Sequence, residues 1–174
     1  MPRNFLRAAA AGAVALLAGL LTTQSAHADI QTFADVGGHI TSVRVSHGPS
    51  TVGVTANDRR MTIRTSYRFW LDTDPSDPGP EYKALVYPDS DAVPLMKVAN
   101  FNSGGIKFDC DGFRGIADTD GGDYAKIIVP RACIGSPSRV RVSVVGYYNE
   151  DSDPAVDVVD WAPGTQRFTS WVNR

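Results

Sequence analysis

Residues 61–72 read MTIRTSYRFWLD, and this stretch decides the fold class because apolar and polar side chains alternate along it. A period of two residues is typical of a β-strand with one buried face. One row of side chains is predicted to face a core: Met61, Ile63, Tyr67, Phe69 and Leu71. The opposite row is predicted to face outward: Thr62, Arg64, Ser66, Arg68, Trp70 and Asp72.

Short runs of the same kind recur along the chain, separated by clusters of Gly, Pro, Asn and Asp. They are ITSVRVSH (40–47), TVGVTA (51–56), EYKALVYP (81–88), LMKVANF (95–101), GIKFDC (105–110), YAKIIVP (124–130), SRVRVSVVGYY (138–148), VDVVDW (156–161) and QRFTSWV (166–172). This pattern predicts an all-β fold, an antiparallel β-sandwich of about nine or ten strands. A jelly roll or a barrel is the alternative.

The N-terminus has the pattern of a secretory signal peptide. Arg3 and Arg7 precede an apolar run over residues 8–21, and the small-x-small site Ala26-His27-Ala28 follows. The run is too short for a good membrane span. We predict that residues 1–28 form the signal, that cleavage follows Ala28, and that the product is released outside the cell without a membrane anchor. Residues 29–174 are then expected to form a single domain.

The charge balance bears on the class of partner. The predicted signal contains two of the 17 basic residues and none of the 19 acidic ones, so the remaining 146 residues carry a formal charge of −4. An acidic chain without a basic cluster argues against nucleic acid or anionic lipid as a partner. We expect a monomer that binds an extracellular glycan or protein.

Two cysteines, Cys110 and Cys133, lie in the predicted extracellular part. In an oxidising compartment an isolated pair most often forms a disulfide. Closing a loop of this length stabilises a fold by about 3 kcal/mol in the chain-entropy model. A reactive thiol or a metal site is the rival interpretation, but no spacing of His or Cys supports it.

Trp70 is the first candidate for ligand binding. A tryptophan in an outward row of polar side chains suits stacking against a sugar ring, and the neighbouring Arg68 and Asp72 would hydrogen-bond its hydroxyls. The alternative is that Trp70 packs beneath a neighbouring loop or the end of the chain.

Acidic clusters suggest calcium, which prefers several oxygen ligands. One candidate site follows the central strand and consists of Asp72, Asp74, Asp77 and Glu81. The spacing differs from that of an EF-hand, and Asp-Pro and Pro-Gly pairs also form turns without a metal. A second candidate site would form if strands 124–130 and 138–148 paired as a hairpin. Its ligands would be Asp118, Asp120, Asp123, Glu150, Asp151 and Asp153, although water and salt could also relieve their repulsion.

Several motifs resemble those of small secreted actinobacterial proteins of uncharacterised function. They are the opening D-x-x-G-x-I-x-x-V-x-V-x-H (residues 35–47), LDTD leading to GPEY (71–82), and VPRACIG-x-P-x-x-VRV (129–142). The strand pattern that ends in LDTD is similar, more distantly, to family 9 carbohydrate-binding modules and DOMON-type domains. This second likeness implies a sandwich that binds sugar or haem. No Met/His pair stands out as axial ligands, which argues against haem.

Three functions follow from these observations, in descending order. The first is a secreted, non-catalytic binding domain for a carbohydrate or a cell-wall polymer. The second is a protein-binding or protease-inhibitor-like protein that uses the 130–138 loop, with Arg131 offered to a trypsin-like pocket. The last is a glycoside hydrolase, which needs only two carboxylates. No catalytic motif supports an enzyme, and His47 is expected to be a partly buried, hydrogen-bonded side chain.

Overall fold

The computed structural model describes residues 28–35, 37–88, 90, 93–149 and 157–174 of the chain. The predicted signal peptide therefore lies outside the described residues, apart from Ala28. The strands are β1 (Asp29–Ala34), β2 (Ile40–His47), β3 (Thr51–Asp58), β4 (Thr65–Asp72), β5 (Tyr82–Val86), β6 (Leu95–Lys97), β7 (Ile106–Lys107), β8 (Arg114–Asp118), β9 (Tyr124–Pro130), β10 (Arg139–Asn149), β11 (Asp157–Ala162) and β12 (Val172–Asn173). A short 3-10 helix, Arg131–Ile134, connects β9 to β10.

The strands form two antiparallel sheets, which confirms the predicted β-sandwich. The smaller sheet has five strands in the order β1-β2-β3-β9-β8. The larger sheet has seven strands in the order β11-β10-β4-β5-β6-β7, with β12 beside β10. No helix in the described part of the chain is long and apolar enough to cross a membrane.

The runs 40–47 and 51–56 form a hairpin, since β2 and β3 pair antiparallel. The hairpin of β9 and β10, on which the second candidate calcium site depended, does not form. β9 pairs with β3 and β8 in the smaller sheet, whereas β10 pairs with β4 and β11 in the larger one. The connection between them crosses from one sheet to the other.

The core lies between the two sheets and is built from the inward rows of the central strands. Its members include Val43, Val45, Val52, Val54, Tyr67, Phe69, Leu71, Ile127, Val142 and Val144. The alternation of burial predicted for the central strand holds from Thr65 to Phe69 and then stops, because Trp70 and Asp72 on the outward row are also buried. Ile63 departs from it with 64% exposure, because a turn joins Thr62 to Thr65 and the strand begins only there.

The disulfide between Cys110 and Cys133 is confirmed, with the two sulfur atoms 2.08 Å apart. It joins the segment after β7 in the larger sheet to the 3-10 helix that follows β9 in the smaller sheet. The cross-link therefore ties the two sheets together at one end of the sandwich.

A buried polar cluster surrounds Arg131 beside this cross-link. The Arg131 Nε donates to Nε2 of His47 over 3.2 Å, and its terminal nitrogens donate to the carbonyls of Pro49, Ser136 and Pro137. Because Nε2 of His47 accepts, its Nδ1 carries the proton and donates to the carbonyl of Val172 over 3.1 Å. Burial lowers the pKa of His47, which agrees with a neutral ring. His47 is hydrogen-bonded as expected, but it is fully buried rather than partly buried.

Candidate functional site

The outward face of the larger sheet carries the candidate site, and the strand register builds its floor. Trp70 on β4 lies opposite Ser143 on β10 and Lys83 on β5. One step along the strands, Arg68 lies opposite Val145 and Leu85. Because side chains at paired positions share a face, these residues form one continuous surface on the side away from the core.

The next strands extend this floor in both directions. Trp161 on β11 lies opposite Val145, and Met96 on β6 lies opposite Lys83. Four neighbouring strands, β11, β10, β4 and β5, thus place aromatic side chains beside the cationic groups of Arg68 and Lys83. Tyr147, also on β10, continues the same row of outward side chains as Val145.

Two connecting segments wall the floor and turn it into a cleft of about 530 Å³. Residues 101–104 follow β6 and form one side, and Gln166, which follows β11, lies on the other. The Gln166 Nε2 donates to Oδ1 of Asn102 over 3.3 Å, so the two walls are joined. The residues lining this cleft are Arg68, Trp70, Lys83, Leu85, Met96, Phe101, Asn102, Ser103, Gly104, Tyr147, Trp161 and Gln166. Its volume is in the range of small-molecule sites.

Trp70 lies at the base of this cleft, and the prediction that it is an exposed stacking platform is wrong. Its side chain faces away from the core as predicted, but it is only 1% exposed. The ring of Trp161 stacks on it at a centroid distance of 5.1 Å and an interplanar angle of 14°. Phe101 covers it from the loop side at 5.3 Å. Trp70 therefore packs beneath a neighbouring loop, as the alternative interpretation had it.

The aromatic surface that a ligand can reach is therefore provided by the residues above Trp70. Trp161 and Phe101 are half-buried, and their rings lie 5.9 Å apart at 70°. Among the residues that the structure describes, the buried Nε1 of Trp70 has no hydrogen-bond partner.

Arg68 was predicted at the site and is found there, held in position by Tyr147. The guanidinium carbon lies 4.3 Å from the Tyr147 ring centroid, and Nη1 donates to the Tyr147 hydroxyl over 3.1 Å. A guanidinium over an aromatic face is a favourable cation–π arrangement. The Arg68 side chain itself is exposed.

Lys83 shapes the other side of the cleft. It is 8% exposed, and its Nζ donates to the carbonyls of Ser103 and Gly104, each over 3.0 Å. These two bonds fasten the loop wall to the sheet. Burial lowers the pKa of the Lys83 ammonium, and the nearby positive charge of Arg68 lowers it further.

Asp72 does not serve the cleft, which corrects its predicted role beside Trp70. Its side chain is fully buried, and its Oδ2 accepts from Nε of Arg141 over 2.7 Å and from Nη2 over 2.5 Å. Arg141 in turn lies over the rings of Phe168 and Trp171, at 4.9 and 4.6 Å. Burial raises the pKa of Asp72, and the Arg141 bonds oppose this shift only in part.

The first predicted calcium site is instead a set of local turns. Asp74 Oδ1 accepts from the backbone nitrogen and the hydroxyl of Ser76, which is an Asx-turn. Asp77 is exposed, and Glu81 Oε2 accepts from the backbone nitrogen and hydroxyl of Thr73. The turn interpretation accounts for these residues.

The second predicted calcium site is only partly within the described residues. Asp118 accepts from the backbone nitrogen of Asp120, which is a local turn, and the carbonyl of Asp123 accepts from the backbone nitrogen of Asp58. Glu150, Asp151 and Asp153 lie outside the described residues. In the part of the chain that the structure describes, no group of three or more His, Cys, Asp or Glu side chains is placed to hold a metal ion.

The burial of Arg131 contradicts the hypothesis that this residue is offered to a protease as an inhibitor. A residue offered to a trypsin-like pocket has to extend into solvent, but Arg131 is 6% exposed and its guanidinium is engaged by His47 and three carbonyls. Releasing it would leave the buried acceptors, His47 Nε2 and the Pro137 carbonyl, unpaired, at a cost of about 1–3 kcal/mol each.

Sequence reasoning missed most of the cleft. Tyr147, Trp161 and Lys83 lie in predicted strands and alternate with inward residues such as Val144 and Ala84, so their outward direction was readable. Phe101, Asn102 and Gln166 carry no such signal, because they lie in connecting segments whose direction has no period. Comparison with protein-family models, with curated proteins and with solved structures found no match to this chain.

Proposed function

We propose that this chain is a secreted binding protein for a carbohydrate or cell-wall polymer, and that the ligand occupies the cleft on the larger sheet. The observation that carries the proposal is the convergence of accessible aromatic rings with hydrogen-bonding groups in one concavity. The rings are those of Trp161, Tyr147 and Phe101, and the polar groups are those of Arg68, Asn102 and Gln166. Sugar rings have one apolar face and a rim of hydroxyls, which matches such a surface.

Secretion is supported by the signal-peptide pattern of residues 1–28 and by the disulfide, which is typical of oxidising compartments. A glycoside hydrolase needs two carboxylates beside the scissile bond. The described residues that line the cleft include none, so we do not propose hydrolysis there.

The test is a glycan array or polysaccharide pull-down with the wild-type protein and with Tyr147→Ala and Trp161→Ala. Each variant removes an aromatic face, worth about 0.5–1.5 kcal/mol beyond its buried area, so we expect retention to fall about tenfold or more. Tyr87→Ala is the matched control, because Tyr87 is 38% exposed and does not line the cleft.

Two results would contradict the proposal. One is a wild-type protein that binds no glycan on a broad array. The other is binding that survives both cleft substitutions, which would place the glycan elsewhere. Since Trp161 packs on Trp70, circular dichroism has to show that Trp161→Ala is folded, and Tyr147→Ala provides the test if it is not.

A further inference from the structure

The charge of the cleft is the feature that the proposed function does not use. Its lining contains two cationic side chains, Arg68 and Lys83, and no acidic one among the described residues. The whole chain has the opposite sign, with a formal net charge of −2. A basic concavity in an acidic protein concentrates anions, because low-dielectric walls focus the field of the charges inside.

The strand register brings the two cations close together. Arg68 lies opposite Leu85, and Lys83 lies two residues before Leu85 on the same strand. They are therefore diagonal neighbours, at about 7–8 Å between backbone positions. Burial lowers the pKa of Lys83 most, and the nearby charge of Arg68 lowers it further. An anion between the two groups would relieve their repulsion.

Both cations are held in place, yet neither is neutralised within the described residues. Lys83 uses two of its three N–H donors on the Ser103 and Gly104 carbonyls. Arg68 uses one of its five N–H donors on the Tyr147 hydroxyl. Tight recognition of an anion requires N–H donors that are held in position before binding and are not used by other acceptors.

A purely structural role explains these contacts less well. A lysine that only fastens a loop could be replaced by a neutral donor without the cost of burying an ammonium. Arg68 is exposed, so its charge is not required for packing. Arg68 and Lys83 are better explained as a binding site for a ligand from outside the chain.

We infer that the ligand carries an anionic oxygen group, a carboxylate or a phosphate, which binds between the Arg68 guanidinium and the free N–H of Lys83. The sugar part of this ligand rests on the proposed function, whereas the anionic group does not depend on it. An acidic glycan would thus place its ring against Trp161 and its charged group against the two cations. A uronate would supply the carboxylate, and a phosphodiester-linked wall polymer would supply the phosphate.

The test compares matched probes by the intrinsic fluorescence of the protein, to which Trp161 in the cleft wall contributes. D-glucuronate is titrated against D-glucose, and glycerol 1-phosphate against glycerol, each at low and high salt. We expect at least one anion to saturate and to bind about tenfold or more tightly than its neutral counterpart, with weaker binding at high salt. The anion that saturates identifies the carboxylate or the phosphate as the recognised group.

The variants Arg68→Gln and Lys83→Met then locate the site. Each is expected to weaken binding of the anionic probe about tenfold and binding of its neutral counterpart by less, because the neutral probe loses no charge-assisted hydrogen bond. Arg114→Gln is the matched control, because Arg114 is an exposed residue of β8 in the other sheet and its substitution changes the net charge equally. Arg68→Gln alters an exposed side chain and is expected to fold even if Lys83→Met does not.

Two outcomes separate this inference from the proposed function. Equal affinity for neutral and anionic probes would overturn the inference and leave carbohydrate binding in place. Binding of glycerol 1-phosphate that depends on Arg68, in a protein that retains no glycan, would support the anion site and overturn the carbohydrate proposal. Absence of a saturable response to either anion would overturn the inference outright.

Discussion

The two faces of β4 bury large side chains for different reasons. On the inner face, Phe69 and Leu71 are fully buried because the two sheets pack against each other there. On the outer face, exposure changes along the strand, from an exposed Arg68 to a covered Trp70 and a buried Asp72. The inner face is closed by the architecture itself. The outer face is closed only where other segments lie over it, and the cleft is the part that they leave open.

The largest difference is expected when one side chain is truncated on each face. Phe69→Ala should lower the free energy of unfolding by about 3–5 kcal/mol, because it opens a cavity in a packed core. Arg68→Ala, the adjacent outward residue, should change it by no more than about 0.5 kcal/mol. Urea unfolding of both variants measures the contrast, and a loss below about 1 kcal/mol for Phe69→Ala would show that the faces do not differ in this way.

A smaller but still clear effect is expected at the covered end of the outer face. Arg141→Met keeps contact with Phe168 but removes the charge that Asp72 faces, leaving a fully buried carboxylate without its partner. Breaking a buried pair costs about 3–5 kcal/mol, and we expect about 2 kcal/mol because Arg141 itself is 26% exposed.

The double variant Asp72→Asn/Arg141→Met serves as the control for this prediction. It should recover part of the lost stability in a double-mutant cycle, because no unpaired charge remains buried. Acidification should also reduce the deficit of the single variant as Asp72, whose pKa burial raises, becomes protonated. A double variant that is less stable than the single one would contradict this account.

The smallest expected effect is on the pH dependence of stability, since one fully buried group and one partly buried group respond to acid in opposite directions. Burial lowers the pKa of His47, on the inward row of β2, so stability is lost as the pH falls through the ordinary histidine pKa of about 6.5. Burial raises the pKa of Glu81, which precedes β5, so stability is gained as the pH falls through that raised value.

Urea midpoints measured from about pH 7 to about pH 4.5 separate these contributions. His47→Gln should lose less stability in acid than the wild-type protein, and Glu81→Gln should lose more. The same pH profile for both variants would mean that neither group titrates differently on folding.

The strands and the main hairpin were predictable because each depends on a local pattern. The edge strands β1 and β8 were missed, since Ile30 and Ile116 do not continue an apolar row and are themselves half or more than a third exposed. Whether β9 pairs with β10 could not be predicted, because alternation shows that a strand has an inward face but not to which sheet the strand belongs.

By itself, the sequence determined the all-β class, the direction of each side chain on the central strands and the cysteine pair, because a two-residue period and a count of two cysteines are properties of the chain alone. Only the tertiary structure decided which outward residues are covered. Trp161 and Phe101 reach Trp70 from distant parts of the chain, and Arg141 reaches Asp72 across a strand pairing. Such contacts depend on the arrangement of strands and loops, which no local period encodes.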